Sequence, residues 1–242
     1  MPDRVLLCSD TATTVESVAL VRGGVVLAEH SELHAKGHGA TLLDSIDRVL
    51  RAAGLTLLDV DAFVCGLGPG SFTGLRISLS TLKGLALALD RPLYGVRTVE
   101  AFRRALPGRN VVSVVDARRG EVFADGHGLS TPQCVRPERL GERLDRAPGE
   151  ALVLLGPGAL MYADALRASL PGAEIPEDPA LHVVCAARLA AAIGTPSDLA
   201  ALAPVYVRAS DAELNYPDGF PDATLAPRQQ LPGKRRPSPP AG

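Results

Sequence analysis

The sequence lacks long hydrophobic runs, a strong net charge and paired cysteines. No apolar run approaches the length of about 20 residues that a membrane-spanning helix needs. The N-terminus, Met1 to Arg4, does not have the shape of a signal peptide. We therefore expect a cytoplasmic protein without membrane contact. A net charge of −2 gives no broad attraction to nucleic acid, so in an RNA pathway a partner protein would supply most of the phosphate contacts.

The four cysteines do not form a disulfide framework or a zinc site. They are Cys8, Cys65, Cys134 and Cys185, and none lies in a Cys-x-x-Cys pair. Free thiols in a reducing compartment are expected. The content of 46% hydrophobic and 21% charged residues is typical of a globular protein, and 242 residues suit one large domain or two small ones.

The first half of the chain predicts the element order β-β-β-α-β-α. Two β-rich runs flank Gly23-Gly24 and predict a hairpin. A hairpin before the alternation differs from a plain Rossmann domain, which alternates strand and helix from the start. The predicted strands lie at Val5–Cys8, Val18–Val21, Val25–Ala28 and Ala62–Cys65, and the predicted helices at Thr41–Ala53, ending at Gly54, and Thr73–Leu89.

The second half opens like the first. An apolar run, Val111–Val115, ends at Asp116 and is followed by a return strand at Glu121–Ala124, just as Val5–Cys8 leads to Asp10. This is a weak internal repeat. Further predicted elements are a strand at Leu152–Leu155, a loop at Gly156–Gly158 leading to a helix that ends at Leu170, a helix at Val183–Ile193 and an extended piece at Pro204–Arg208.

The C-terminal 26 residues predict a disordered tail, because seven of them are proline and no apolar periodicity remains. The predicted domains are therefore residues 1–100, 101–216 and a tail at 217–242.

The most informative stretch is a glycine-rich loop between a predicted strand and a predicted helix. It does not match the phosphate-binding pattern with Gly-Lys-Ser/Thr, and Thr73 stands where Gly-x-Gly-x-x-Gly needs its third glycine. A tight strand-to-helix turn is favoured over a phosphate site, although it leaves Ser71, Phe72, Thr73 and Arg76 unexplained. The loop comprises Gly68, Pro69, Gly70, Ser71, Phe72 and Thr73.

The helix after this loop has very little polar surface. One stripe is apolar and a second carries small residues, so the helix is expected to be covered on more than one side. An internal helix and a protein–protein interface both fit this pattern, and the residues alone do not decide between them. The small-residue stripe is Gly74, Ser78, Thr81, Gly84 and Ala88.

Candidates for catalysis or metal binding are few. Asp10 and Asp116 follow strands and are more simply turn caps than ligands in a shared cleft. His34 and His38 have a metal-ligand spacing, but the nearby glycines disfavour a helix and a third ligand is missing. The sequence has no Gly-x-Ser-x-Gly elbow, so a hydrolase has little support.

Several motifs together resemble those of the TsaB/YeaZ family. They are Gly68 to Arg76 with Lys83 to Ala86, Asp10-Thr11, His38 with Leu42-Leu43, Asp116 to Phe123, and Tyr206-Val207-Arg208. Their order along residues 5–210 follows the family. The chain departs from the family at Ala12 and Phe123, where serine and tyrosine are usual, and at Gly39-Ala40, where Ser-Glu is usual.

The resemblance implies an α/β fold of the actin/Hsp70/sugar-kinase type and a subunit without catalytic residues, metal or cofactor. It implies binding to TsaD, with TsaE in a larger complex, self-association when alone, and only indirect contact with tRNA. The helices Thr41–Ala53 and Thr73–Leu89 would form the interface. An ATP-dependent phosphotransferase or a glycoprotease-like hydrolase of the same fold is the alternative. The predicted interface residues are His38, Leu42, Ile46, Gly74, Arg76, Ser78, Thr81, Gly84 and Ala88.

Overall fold

The first half of the chain forms a five-stranded mixed sheet. The computed structural model describes residues 3–33, 42–147 and 149–208. The strands are β1 (Val5–Asp10), β2 (Val15–Arg22), β3 (Val25–Leu33), β4 (Ala62–Gly66) and β5 (Leu93–Val96). Their order in the sheet is β3-β2-β1-β4-β5, with β1, β2 and β3 antiparallel and β1, β4 and β5 parallel.

The hairpin between β2 and β3 turns at the predicted glycines. Gly23 and Gly24 have φ angles of +57° and +84°, which suit the two-residue turn that matches the twist of paired strands. Both strands extend several residues beyond the predicted apolar runs, because the polar residues at their ends continue the pairing from Val15–Leu33 to Arg22–Val25.

Two helices, α1 (Leu42–Ala53) and α2 (Phe72–Leu89), cover one face of this sheet. The apolar side of α1 lies against β2 and β3, and α2 lies against β4. The predicted stop of α1 is confirmed, since Gly54 has φ +66° and the Leu55 N–H bonds to the Leu50 carbonyl. Thr41, the predicted start of α1, lies outside the described residues.

The second half contains a four-stranded sheet that repeats the opening of the first. A short helix, α3 (Val99–Arg103), leads into β6 (Asn110–Arg118), which pairs antiparallel with β7 (Glu121–Gly126) and parallel with β9 (Leu152–Leu155). In the first sheet β1 has the same relation to β2 and β4. The internal repeat inferred from two strand–aspartate–strand patterns is therefore confirmed. The edge strand β8 (Gln133–Val135) completes the order β8-β7-β6-β9.

A shared core joins the two sheets through α3. Cys8 and Val64 of the first sheet lie in one buried cluster with Phe102 of α3 and with Val111 and Val153 of the second sheet. The predicted domain boundary at residue 100 falls within α3. That division stays a prediction, and the predicted tail at 217–242 lies outside the described residues.

The C-terminal part differs from the predicted elements. Two short helices, α4 (Pro157–Met161) and α5 (Ala163–Ser169), replace one continuous helix ending at Leu170. The helix predicted at Val183–Ile193 is a shorter 3-10 helix, Ala186–Ala192. The remaining 3-10 helices are Leu57–Asp59, Pro137–Arg143 and Pro179–His182.

The predicted extended piece at Pro204–Arg208 is not a strand. It belongs to a segment, residues 197–208, that begins beside β5 and reaches the residue that follows β4. The Ser197 N–H donates to the Leu93 carbonyl at 2.8 Å, and the Val205 N–H donates to the Leu67 carbonyl at 2.8 Å.

All four cysteines are free, as predicted, and Cys8 and Cys65 are buried. Among the helices of the described residues, none is both long and apolar enough to cross a membrane.

Candidate functional site

The glycine-rich loop between β4 and α2 packs against the end of β1. A Cβ on Gly70 would lie 2.1 Å from the Ala12 carbonyl oxygen, and the Ser71 N–H donates to that same oxygen at 2.7 Å. Only glycine allows two backbone segments to approach so closely. The interpretation of the loop as a tight strand-to-helix turn therefore fits the structure, because the chain itself occupies the space that the glycine opens.

A second set of contacts fixes the other end of the loop. Gly68 has φ +89°, its N–H donates to Thr98 Oγ1 at 3.1 Å, and its carbonyl accepts from the Thr98 N–H at 3.0 Å. The peptide bond from Gly68 to Pro69 is cis. Ser71 then caps α2 by accepting from the Gly74 N–H at 3.2 Å. Sequence reasoning missed Thr98, which lies 30 residues beyond Gly68.

Asp10 is sealed beneath this loop. Its side chain is fully buried and accepts from the Ala12 N–H at 2.8 Å and from Thr98 Oγ1 at 2.7 Å. A Cβ on Gly66 would lie 2.0 Å from Asp10 Oδ2, so Gly66 leaves room for the carboxyl group. Burial raises the pKa of Asp10 to about 6, against the lowering effect of the two hydrogen bonds. This arrangement matches the turn-cap interpretation.

Asp116 has an equivalent role in the second half. It accepts from the Arg118 N–H at 2.9 Å and from the Tyr162 hydroxyl at 3.0 Å, and it lies 3.7 Å from the Arg118 guanidinium. Within the described residues no hydrogen bond or ion pair joins Asp10 to Asp116. The same part of the chain also has no cluster of three or more potential metal-ligating His, Cys, Asp or Glu side chains.

The structure divides the small-residue stripe of α2 into two parts. Gly74 and Ser78 are buried inside the chain, where Thr11 Oγ1 donates to the Gly74 carbonyl at 2.7 Å and Ser78 Oγ donates to Ser9 Oγ at 3.0 Å. Cys65 Sγ lies 3.5 Å from Ser78 Oγ and extends this buried polar chain. The N-terminal half of the stripe thus fits α2 against β1, and it is not an exposed surface.

Two further predicted interface residues are also core residues. Leu42 and Ile46 of α1 are each 2% exposed and belong to the cluster beneath the helices. Their periodicity marks the apolar side of α1 that packs on the core. A sequence pattern cannot distinguish that side from an apolar side that faces a partner. His38 lies outside the described residues.

We use the name outer helical surface for the exposed residues of these two helices taken together. On α2, Gly84 and Ala88 are exposed, Thr81 is half-buried, and Leu87 is 75% exposed. On α1, Leu43 is 60% exposed. A Cβ on Gly84 would have no heavy atom within 4 Å, so that position faces open space.

Arg76, another predicted interface residue, is engaged at the start of α2. Its guanidinium carbon lies 3.9 Å from the centre of the Phe72 ring, and its Nε donates to the Tyr206 hydroxyl at 2.9 Å. The motifs at Phe72–Arg76 and Tyr206–Arg208 were both noted in the sequence, but nothing there indicated that they touch. Their contact spans 130 residues.

Comparison with known proteins places these features in context. A family model described as TsaD, tRNA N6-adenosine threonylcarbamoyltransferase, matches residues 8–165. The chain is 36% identical over 172 residues to the tRNA threonylcarbamoyladenosine biosynthesis protein TsaB of Escherichia coli, covering 66% of this chain and 74% of that protein.

Solved structures show the same arrangement. YeaZ from Pseudomonas aeruginosa is 28% identical, with a TM-score of 0.66 over 84% of this chain and 99% of that one. The ethanolamine utilization protein EutJ from Carboxydothermus hydrogenoformans is 11% identical, with a TM-score of 0.52 over 78% of this chain and 91% of that one, a likeness of fold alone.

Proposed function

This chain belongs to the TsaB/YeaZ family, and on that basis we propose that it is a non-catalytic subunit that binds TsaD during formation of threonylcarbamoyladenosine in tRNA. It has the predicted fold of the actin/Hsp70/sugar-kinase type, with two mixed sheets flanked by helices. The family name ties the protein to tRNA modification. Its manner of action is what we propose here.

The observation that carries this proposal is the outer helical surface. Gly84 and Ala88 offer little side chain, while Leu87 and Leu43 leave large apolar groups in water. Small residues let the backbone of another helix approach closely, and burying an exposed leucine stabilises an association by about 1.5–3 kcal/mol. A helix pair of a partner subunit fits such a surface better than a small ligand does.

The burial of Asp10 supports a role without catalysis. Both carboxyl oxygens already accept hydrogen bonds, and the side chain has no exposed area. A metal ion or phosphate would reach it only if the loop containing Gly70 moved away from Ala12. We therefore assign Asp10 to the support of α2 and not to a reaction.

The same surface accounts for the proposed partners. TsaD would cover it in a heterodimer, and a second copy of this chain would cover it when TsaD is absent. TsaE would join the larger complex, and tRNA would be held mainly through the partner, because this chain has a net charge of only −2.

The test is a Gly84→Leu variant, assayed for binding to purified TsaD by isothermal titration calorimetry. We expect at least a tenfold loss of affinity, because the added side chain fills the space where the partner helix approaches. At a concentration where the isolated chain is monomeric, the variant should be more stable by about 0.8 kcal/mol, since leucine favours a helix interior over glycine.

The matched control is Gly194→Leu, which also faces open space but lies outside α1 and α2. It should bind TsaD like the unmodified chain. Unchanged TsaD affinity in Gly84→Leu would refute the proposed interface.

A further inference from the structure

Arginines and aromatic rings form a continuous group at the start of α2, which we call the Tyr206 cluster. The Arg76 guanidinium carbon lies 3.9 Å from the Phe72 ring centre and 5.7 Å from the Tyr206 ring centre. The two rings are 5.0 Å apart, with their planes inclined at 36°. Arg76 therefore stacks on the Phe72 ring and lies beside Tyr206, so the three side chains form a triangle.

A second arginine–aromatic pair is linked to the first through the chain, because Arg208 lies two residues after Tyr206. The Arg208 guanidinium carbon lies 5.8 Å from the Phe123 ring centre, and Arg208 Nη1 donates to Glu121 Oε2 at 3.1 Å. Arg118 is the register partner of Glu121 across the β6–β7 hairpin. The Tyr206 cluster comprises Phe72, Arg76, Glu121, Phe123, Tyr206 and Arg208, with Arg118 at its border.

The Tyr206 cluster is exposed and more basic than the chain as a whole. Tyr206 is 44% exposed, and the Arg118 side chain is 75% exposed. The cluster and its border contain Arg76, Arg118 and Arg208 and two carboxylates, Glu121 within the cluster and Asp116 beside Arg118. The chain as a whole is acidic, so this concentration of arginine is a local feature.

We propose that the Tyr206 cluster is an RNA contact at which an unpaired base of the tRNA substrate stacks on the exposed face of Tyr206. Aromatic rings and arginine planes are the usual platforms for unpaired bases, and arginines also neutralise the neighbouring phosphates. The inference rests on the proposed function, because that function brings tRNA to the complex. It adds a direct contact to the indirect one described above.

A protein partner fits this surface less well. The exposed aromatic part is a single ring, Tyr206, whereas a standard protein interface covers roughly 800 Å² on each partner. A single base needs only one exposed ring face. The contact is therefore expected to adjust the affinity of the assembled complex for tRNA without supplying most of it.

The experiment measures binding of a fluorescein-labelled, unmodified tRNA transcript to the complex of this chain with TsaD, by fluorescence anisotropy. Tyr206→Ala should weaken binding about tenfold, in the range found for loss of one base–aromatic stack. Tyr206→Phe keeps the ring and should stay within twofold of the unmodified chain. Arg139→Ala, a control that removes an exposed arginine paired with Glu142, should also stay within twofold.

The salt dependence of RNA affinity separates a lost base stack from a lost phosphate contact. Arg76→Ala should reduce the slope of log affinity against log salt by about 1, the effect of one lost phosphate contact, whereas Tyr206→Ala should leave that slope unchanged. Thermal unfolding of each variant shows whether the fold is retained.

RNA affinity within twofold of the unmodified chain for a folded Tyr206→Ala variant would overturn the inference. So would loss of TsaE binding with RNA affinity intact, which would make this a protein-docking surface. If RNA binding does not change in Tyr206→Ala but the chain still binds TsaD, only the proposed RNA contact is refuted. If TsaD does not bind, the proposed function itself fails.

Discussion

Replacing Asp10 by asparagine should remove a pH dependence from the stability of the fold. Asp10 is fully buried, and burial raises its pKa to about 6 in the folded chain. In the unfolded chain an aspartate titrates near 3.9. The folded state therefore holds a proton more tightly than the unfolded state between these values. The resulting stabilisation is complete below about pH 4 and is lost as the pH rises through about 6.

The expected size follows from the difference between the two pKa values. A difference of roughly two units corresponds to about 3 kcal/mol of free energy of unfolding lost between about pH 4 and pH 7. The asparagine variant keeps an oxygen that accepts from the Ala12 N–H and has no ionisable group at this position. Its amide would donate to Thr98 Oγ1, so part of the local hydrogen bonding remains.

The assay is urea unfolding of the unmodified chain and Asp10→Asn at pH 4.5 and pH 7.5. The change in free energy of unfolding between these pH values should differ by about 2 kcal/mol between the two proteins, with Asp10→Asn gaining relative stability at the higher pH. Glu142→Gln is the control. The Arg139 side chain lowers the pKa of Glu142. Loss of the Glu142 carboxylate should therefore change the pH dependence of stability in the direction opposite to loss of the Asp10 carboxylate. Equal pH dependence in the unmodified chain and Asp10→Asn would refute the claim that burial raises the pKa of Asp10.

Three further substitutions test the loop at the start of α2 by urea unfolding. Gly70→Ala should destabilise the fold by about 1–3 kcal/mol, because its Cβ would overlap the Ala12 carbonyl, and an unchanged unfolding midpoint would contradict this contact. Ser71→Ala should cost about 1 kcal/mol through loss of the helix cap, with Ser71→Thr as the control that keeps a hydroxyl. Thr98→Val should cost about 1–3 kcal/mol and raise the pKa of Asp10 further, whereas Thr98→Ser should not.

The sequence predicted local features of the fold well. Gly23-Gly24 and Gly54 determine a turn and a helix end through their own backbone angles, so neighbouring residues suffice to recognise them. The α/β character and the repeat followed from apolar runs of strand length. The helix predicted at Val183–Ile193 was wrong in type, since its apolar residues pack as a 3-10 helix against α3 and the first sheet.

Contacts between distant parts of the chain limited how much of the site could be predicted from the sequence. Ser78 looked like part of an interface until its partner, Ser9, was known, and those residues lie 69 positions apart. The hydrogen bonds from Thr98 to Asp10 and from Arg76 to Tyr206 also join distant residues, so the sequence did not indicate them. Periodicity identified the small and apolar sides of α2, but it could not tell which half of each side faces the chain itself.

The most direct test is the rate of threonylcarbamoyladenosine formation in a reconstituted mixture of TsaD, TsaE, tRNA and this chain, supplied with ATP and with threonylcarbamoyl-AMP as the donor of the transferred group. We propose that Asp10 supports the fold and takes no part in the reaction, so Asp10→Asn should sustain product formation within twofold of the unmodified chain. Gly84→Leu should lose it and recover as the concentration of the variant is raised. A hundredfold loss in Asp10→Asn, with its fold and TsaD binding intact, would show that this subunit performs chemistry.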